Sequence, residues 1–168
     1  MDYHVIPSFM YQPTVTSESE QARELDLTLG IIREFGEEVL GFDELEQAES
    51  VDLLLQTICS IPLLDTLQQE MASGSANLKA TGVVLDIFRL RPEFTFLLII
   101  HDEQFSQHTV GNWESDNLVQ VPVESPYSWQ DFMLEKNANF AAPAIAALIN
   151  AQSYIAAHLD ETTRKSTC

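Results

Sequence analysis

Near residue 75 the spacing of the apolar residues changes, and that change limits the folds open to the chain. Before it, apolar positions recur every three or four residues, as in Leu63, Leu64, Leu67 and Met71, the period of a helix packed on one side. After it come GVVLDIFRL at 82–90 and FTFLLIIH at 94–101, rich in β-branched and aromatic residues and apolar on both faces. Helical segments return only beyond residue 128. Helices grouped, then strands, then helices predict an α+β fold rather than alternating βαβ units.

Three helices are expected ahead of the sheet. Ser17 with Glu20 forms a capping box for the first, which should run to about Leu40. A 100° step puts Ala22, Leu25, Leu29, Ile32, Val39 and Leu40 on an inner face, with Glu20, Glu24, Glu34, Glu37 and Glu38 in solvent. Asp43 and Glu46 suit the start of a second helix ending near Ser60, with Leu45, Ala48, Val51, Leu55 and Ile58 inward. Pro62 suits the first turn of a third. MASGSANLK reads as a linker, and the two strands that follow should be parted by Arg91, Pro92 and Glu93.

Weaker strands are expected at 104–111 and in NLVQVPV at 117–123, for an antiparallel meander of three to four strands. Ser128 and Asp131 should start a short helix. A long one begins near Pro143, with Ile145, Leu148, Ile149, Gln152, Ile155, Ala156 and Leu159 as its core face. The expected architecture is one domain over residues 1–160, with a polar, frayed tail at 161–168.

Charge bears most directly on function. The chain holds 26 acidic and 8 basic residues, a net charge of −18, and residues 1–78 alone hold 15 acids and 2 bases. Such a surface repels nucleic-acid phosphates and anionic lipid, so neither is an expected partner. A protein with a basic surface would be attracted, in a salt-sensitive encounter. No apolar run is long enough to cross a membrane, and MDYHVIPSF lacks the pattern of a secretory leader, so a cytoplasmic location is expected. Cys59 and Cys168 have no metal-type spacing and are expected as thiols.

Two regions could carry function. In LLIIHDEQFSQH, His101, Asp102, Glu103 and His108, with Glu114 further on, could supply imidazole and carboxylate to a metal or to acid–base chemistry. Their spacing matches no local metal signature, and a polar exit from a strand accounts for them equally well. Asp86 reads as a partner of Arg89 or Arg91, and ASGSA lacks the features of a nucleophile elbow or a phosphate loop.

The second region, EFGEEVLGFDELEQAE at 34–49, offers seven carboxylates and no base, interleaved with apolar residues. Glu34, Glu37, Glu38, Phe42, Asp43, Glu44, Glu46 and Glu49 form the expected partner-binding face. The reading is a non-enzymatic acidic interaction protein without cofactor or metal, and a homodimer is compatible with it. A small metal-dependent enzyme built on His101 and His108 is the alternative. A nucleic-acid mimic or an accessory domain of a longer protein is a further one. In composition and approximate architecture the chain is similar to small acidic proteins that inhibit, neutralise or chaperone a partner, such as toxin immunity proteins and secretion chaperones.

Overall fold

The computed structural model describes residues 5, 7, 10, 13–43, 48–102, 105, 107, 131, 132, 134 and 140–165, with backbone alone for 159–165. Among these, the chain is a mixture of helices and one two-stranded antiparallel sheet. It divides into two compact units, a helical one (Ile6–Asn77 with Ile99–Leu118) and one built on the hairpin (Leu78–Leu98 with Met1–Val5 and Val119–Cys168).

In the helical unit the expected helix from Ser17 to Leu40 is broken. Helix α1 spans Glu18–Glu24 and α2 spans Leu27–Glu34. The break follows from Asp26, whose Oδ1 accepts from the N–H groups of Thr28 at 2.8 Å and Leu29 at 3.4 Å and so starts a new helix. The helical phase changes there. Leu25, expected inside, is 69% exposed, and Glu24, expected in solvent, is buried. α2 continues into a π-helical turn, Phe35–Val39.

Helix α3 spans Val51–Ser60 and starts later than expected, because Ser50 rather than Asp43 or Glu46 caps it, accepting from Leu53 N–H at 3.3 Å. Its buried stripe is Val51, Leu54 and Ile58, with Leu54 in the place expected for Leu55. Helix α4, Pro62–Ser73, begins at its proline as expected and buries Leu64 and Leu67. These four side chains from Leu54, Ile58, Leu64 and Leu67 are fully enclosed where α3 packs on α4. Removing each from water is worth about 1.5–3 kcal/mol. Val15, Ile31, Ile32, Phe35 and Phe105 extend this core, with the rings of Phe35 and Phe105 6.1 Å apart.

α4 ends at Gly74, whose φ of +85° is the left-handed conformation that glycine adopts without a Cβ penalty. The linker is therefore only two residues long. Strand β1 begins at Ala76 and ends at Asp86, well before the expected end at Leu90, and β2 spans Arg91–Ile100. The turn is Ile87–Leu90, not Arg91–Glu93, because Asp86 makes it: its Oδ1 accepts from Phe88 N–H at 2.9 Å and Arg89 N–H at 3.1 Å.

His101 N–H donates to the Ser75 carbonyl at 3.3 Å, and the Thr81 and Thr95 hydroxyls meet at 3.0 Å. Both contacts belong to one antiparallel register. Within the expected strand at 104–111, Phe105 and Gln107 instead lie in a 3₁₀ conformation. The strand expected at 117–123 lies outside the described residues.

In the hairpin unit, helix α5 runs from Ala142 to Lys165, past the start of the expected tail. Its most buried residues are Ala144 and Ala151, and Ile149, expected in the core, is exposed. Alanine there allows close approach: Asn150 Nδ2 reaches Thr95 Oγ1 at 3.0 Å, and that hydroxyl donates to the Gly82 carbonyl at 3.1 Å. Phe132 and Phe140 pack edge to face at 5.7 Å, and Trp113, Tyr127 and Trp129 lie outside the described residues.

Candidate interaction surface

Among the expected acidic face, the structure separates inward from outward carboxylates. Glu38 is buried and Glu37 half-buried, both within the π turn. Glu34 accepts from Arg33 Nη2 at 2.5 Å. Phe42 is half-buried, while Asp43 and Glu49 are exposed. Glu44, Glu46 and Leu45 lie outside the described residues. The correction is physical: the π turn adds a residue to the helical repeat, so acids placed on a solvent face by a 100° step rotate toward the protein.

Glu34 belongs, with Glu24, to a network that sequence reasoning did not assemble. Glu24, 3% exposed, accepts from the Thr14 N–H with both oxygens, at 2.8 and 2.9 Å, and from Val15 N–H at 3.0 Å. Arg33 lies between Glu24 and Glu34, 3.9 Å from the former, and donates to the Thr14 hydroxyl. Its Nε is buried without a hydrogen-bond partner. Arg33 is the signal that could have revealed this: a lone base among acids on an apolar helix is more easily kept as an ion pair than as a free charge.

The outward acids form a different set. Glu18, Asp26, Asp43, Glu49 and Asp52 are exposed, and so are Leu25, Leu27, Leu53 and Leu55. Arg23 bridges Glu20 and Asp52 at 2.9 Å each, tying α1 to α3. The Val51 N–H donates to Glu20 Oε2 at 3.0 Å, and this bond first, then Arg23, holds the Glu20 carboxyl below the usual range. The two carboxylates hold the Arg23 guanidinium protonated more firmly.

His101 and Asp102 are exposed at the end of β2, and Asp102 carbonyl accepts from Phe105 N–H at 3.1 Å. Glu103, His108 and Glu114 lie outside the described residues. Among the described residues no three ligating side chains converge on a metal position. Asp86 turns out to be a turn-forming group, with Arg89 3.9 Å away. Cys59 is a free, exposed thiol whose Sγ lies 3.5 Å from Gln68 Oε1. Cys168 lies outside the described residues. No helix among the described residues is long and apolar enough to cross a membrane.

The two units differ sharply in charge. The helical unit contains 18 acids and 2 bases, a net −16, and the hairpin unit 8 acids and 6 bases, a net −2. No family model, curated protein or solved structure matches the chain.

Proposed function

We propose that the protein is a non-enzymatic, cytoplasmic interaction module, inhibitor- or chaperone-like, whose helical unit docks a protein with a basic surface. The observation that carries this reading is the concentration of net charge, −16 against −2, in the unit that also exposes Leu25, Leu27 and Leu53 beside acids. Pairing with Arg33 removes Glu24 and Glu34 from the contact, and burial removes Glu38. Asp26, Asp43, Glu49 and Asp52 are its charged members, and the neighbouring leucines supply the dehydrated area that charge alone does not.

The test is co-purification from the native cells at low salt and at about 0.5 M salt, where the screening length falls to roughly 4 Å. A specific basic protein should be retained at low salt and lost at high salt. The double variant Asp43→Lys/Glu49→Lys should lose it at both. Retention that is indifferent to salt and to charge reversal would remove the proposal.

A further inference from the structure

We propose that a second copy of this chain packs on the outer face of the hairpin, sheet against sheet about a twofold axis. The inference is independent of the basic partner proposed for the helical unit.

The position of α5 defines which face is outer. A Cβ at Gly82 would lie 2.7 Å from Asn150 Nδ2, and the Thr95 hydroxyl accepts from the same amide at 3.0 Å, so both residues turn toward α5. Side chains alternate along a strand, which turns Val83 and Leu85 of β1, and Pro92 and Phe94 of β2, the other way. Burial agrees with this: those four are exposed, Gly82, Val84 and Glu93 are half-buried, and Thr95 is buried. The hairpin therefore has one face under a helix and one apolar face in water. An apolar sheet face is ordinarily buried against a further layer.

The turn continues this surface. Ile87, Phe88 and Leu90 are exposed, Phe88 at 87%. Leu90 has a φ of +53°, a left-handed conformation that is costly for leucine and easy for glycine or asparagine. Within one copy its side chain is 78% exposed, so it contributes little to the core in return for that strain. A covering surface outside the copy accounts for a leucine at such a position. Together the strands and the turn present an apolar patch on the order of several hundred Å², the size that marks an interaction site and a large share of the roughly 800 Å² each partner gives to a stable interface.

Charge selects the occupant. Asp86, Arg91 and Glu93 take the alternate strand positions, away from the outer face, and are paired within the copy, Glu93 with Arg91 at 2.6 Å and Asp86 with Arg89 at 3.9 Å. Val83, Leu85, Pro92 and Phe94 thus offer a basic or an acidic partner nothing to be attracted by. A basic protein is drawn instead to the −16 of the helical unit, and anionic lipid is repelled by the −18 of the chain. A like face needs no complementary charge, because a twofold axis sets apolar side chains against their own kind. Two copies repel overall, and the hairpin unit, at −2, is where that repulsion is weakest. Sheets packed in this way lie about 10 Å apart, with α5 left on the far side of each.

Sedimentation velocity on the full chain, from about 1 to about 100 μM, tests this directly. The expected result is a concentration-dependent species of twice 18.9 kDa. It should persist or tighten at high salt, because the repulsion it opposes is screened. Val83→Lys and Phe94→Lys, one on each strand, should each weaken association about tenfold or more. Leu90→Asn should also weaken it, yet should not lower the urea midpoint measured where the chain is monomeric, since asparagine relieves the left-handed strain. Asp43→Lys/Glu49→Lys should leave the dimer intact, which separates this proposal from that of the basic partner. Circular dichroism establishes that each variant is folded, and if a lysine variant is not, Leu90→Asn and the salt response of the natural chain decide. A monomer throughout the range would overturn the proposal, as would a dimer weakened by salt. A dimer sensitive to Val83→Lys but indifferent to Phe94→Lys would place the contact at the edge of β1 and overturn it as well. So would a monomer that instead binds phosphatidylcholine vesicles through Phe88.

Discussion

Glu24 holds the Thr14 N–H with both carboxylate oxygens, at 2.8 and 2.9 Å, across ten residues of sequence. A third bond, from Val15 N–H, sets the Val15 side chain into the core. Glu24→Gln keeps the shape but replaces one acceptor oxygen with an NH₂ group that faces the same donors. The expected loss is about 1–3 kcal/mol, seen as a lower urea midpoint with an unchanged slope. A midpoint equal to that of the natural chain would show that Glu24 does not anchor the segment.

Arg33 is the counterpart of that anchor. Arg33→Met leaves Glu24 and Glu34 enclosed without their cation, and removing one partner of a buried pair costs roughly 3–5 kcal/mol. Arg33→Lys should recover little, since an ammonium cannot bridge Thr14, Glu24 and Glu34 as the planar guanidinium does. In the double variant Arg33→Met/Glu34→Gln the loss should be smaller than in Arg33→Met alone. Denaturant titration of Arg33→Met, Glu34→Gln and the double variant measures the coupling, and strict additivity of the single losses would contradict the network.

Thr95 makes the corresponding junction in the hairpin unit, where one hydroxyl meets Thr81, Gly82 and Asn150. A Cβ at Gly82 would lie 2.7 Å from Asn150 Nδ2. Gly82→Ala should therefore displace the Asn150 amide from Thr95 and lower stability by about 1–3 kcal/mol. In an Asn150→Ala background the same substitution should cost much less. Thermal unfolding of the four proteins provides the measurement, and an equal cost in both backgrounds would place the strain elsewhere.

Much of the architecture was legible because apolar period and capping residues act locally. Pro62 opening α4, the stripe of Leu64 and Leu67, and the change from helix to strand are of this kind. What was not legible depends on contacts distant in sequence. A capping carboxylate at Asp26 outweighed a continuous apolar pattern and turned Glu24 inward, because Thr14 and Val15 needed an acceptor. Asp86 made a turn where Arg91–Glu93 had seemed the better breaker, and Pro92 proved compatible with an edge strand. The candidate surface suffered most, since a helical wheel assumes one uninterrupted phase and the π turn at Phe35–Val39 changes it.

Glu20 offers a pH-dependent test of the join between α1 and α3. Its carboxyl is held below the usual range by the Val51 N–H first and the Arg23 side chain second. A depressed folded-state pKa means that its contribution to stability is fully present above the ordinary carboxylate range. That contribution is lost as pH falls through the lowered value, while the protonated form no longer attracts Val51 N–H or Arg23. Carbon-detected NMR titration should find Glu20 titrating below a carboxylate in a short peptide. Because the backbone bond is the larger cause, Arg23→Ala should return only part of the shift, and Glu20→Gln should flatten the acid limb of the stability profile. A Glu20 that returns fully to normal in Arg23→Ala would mean that Val51 N–H does not hold the carboxylate, and one that titrates normally in the natural chain would mean that neither contact does.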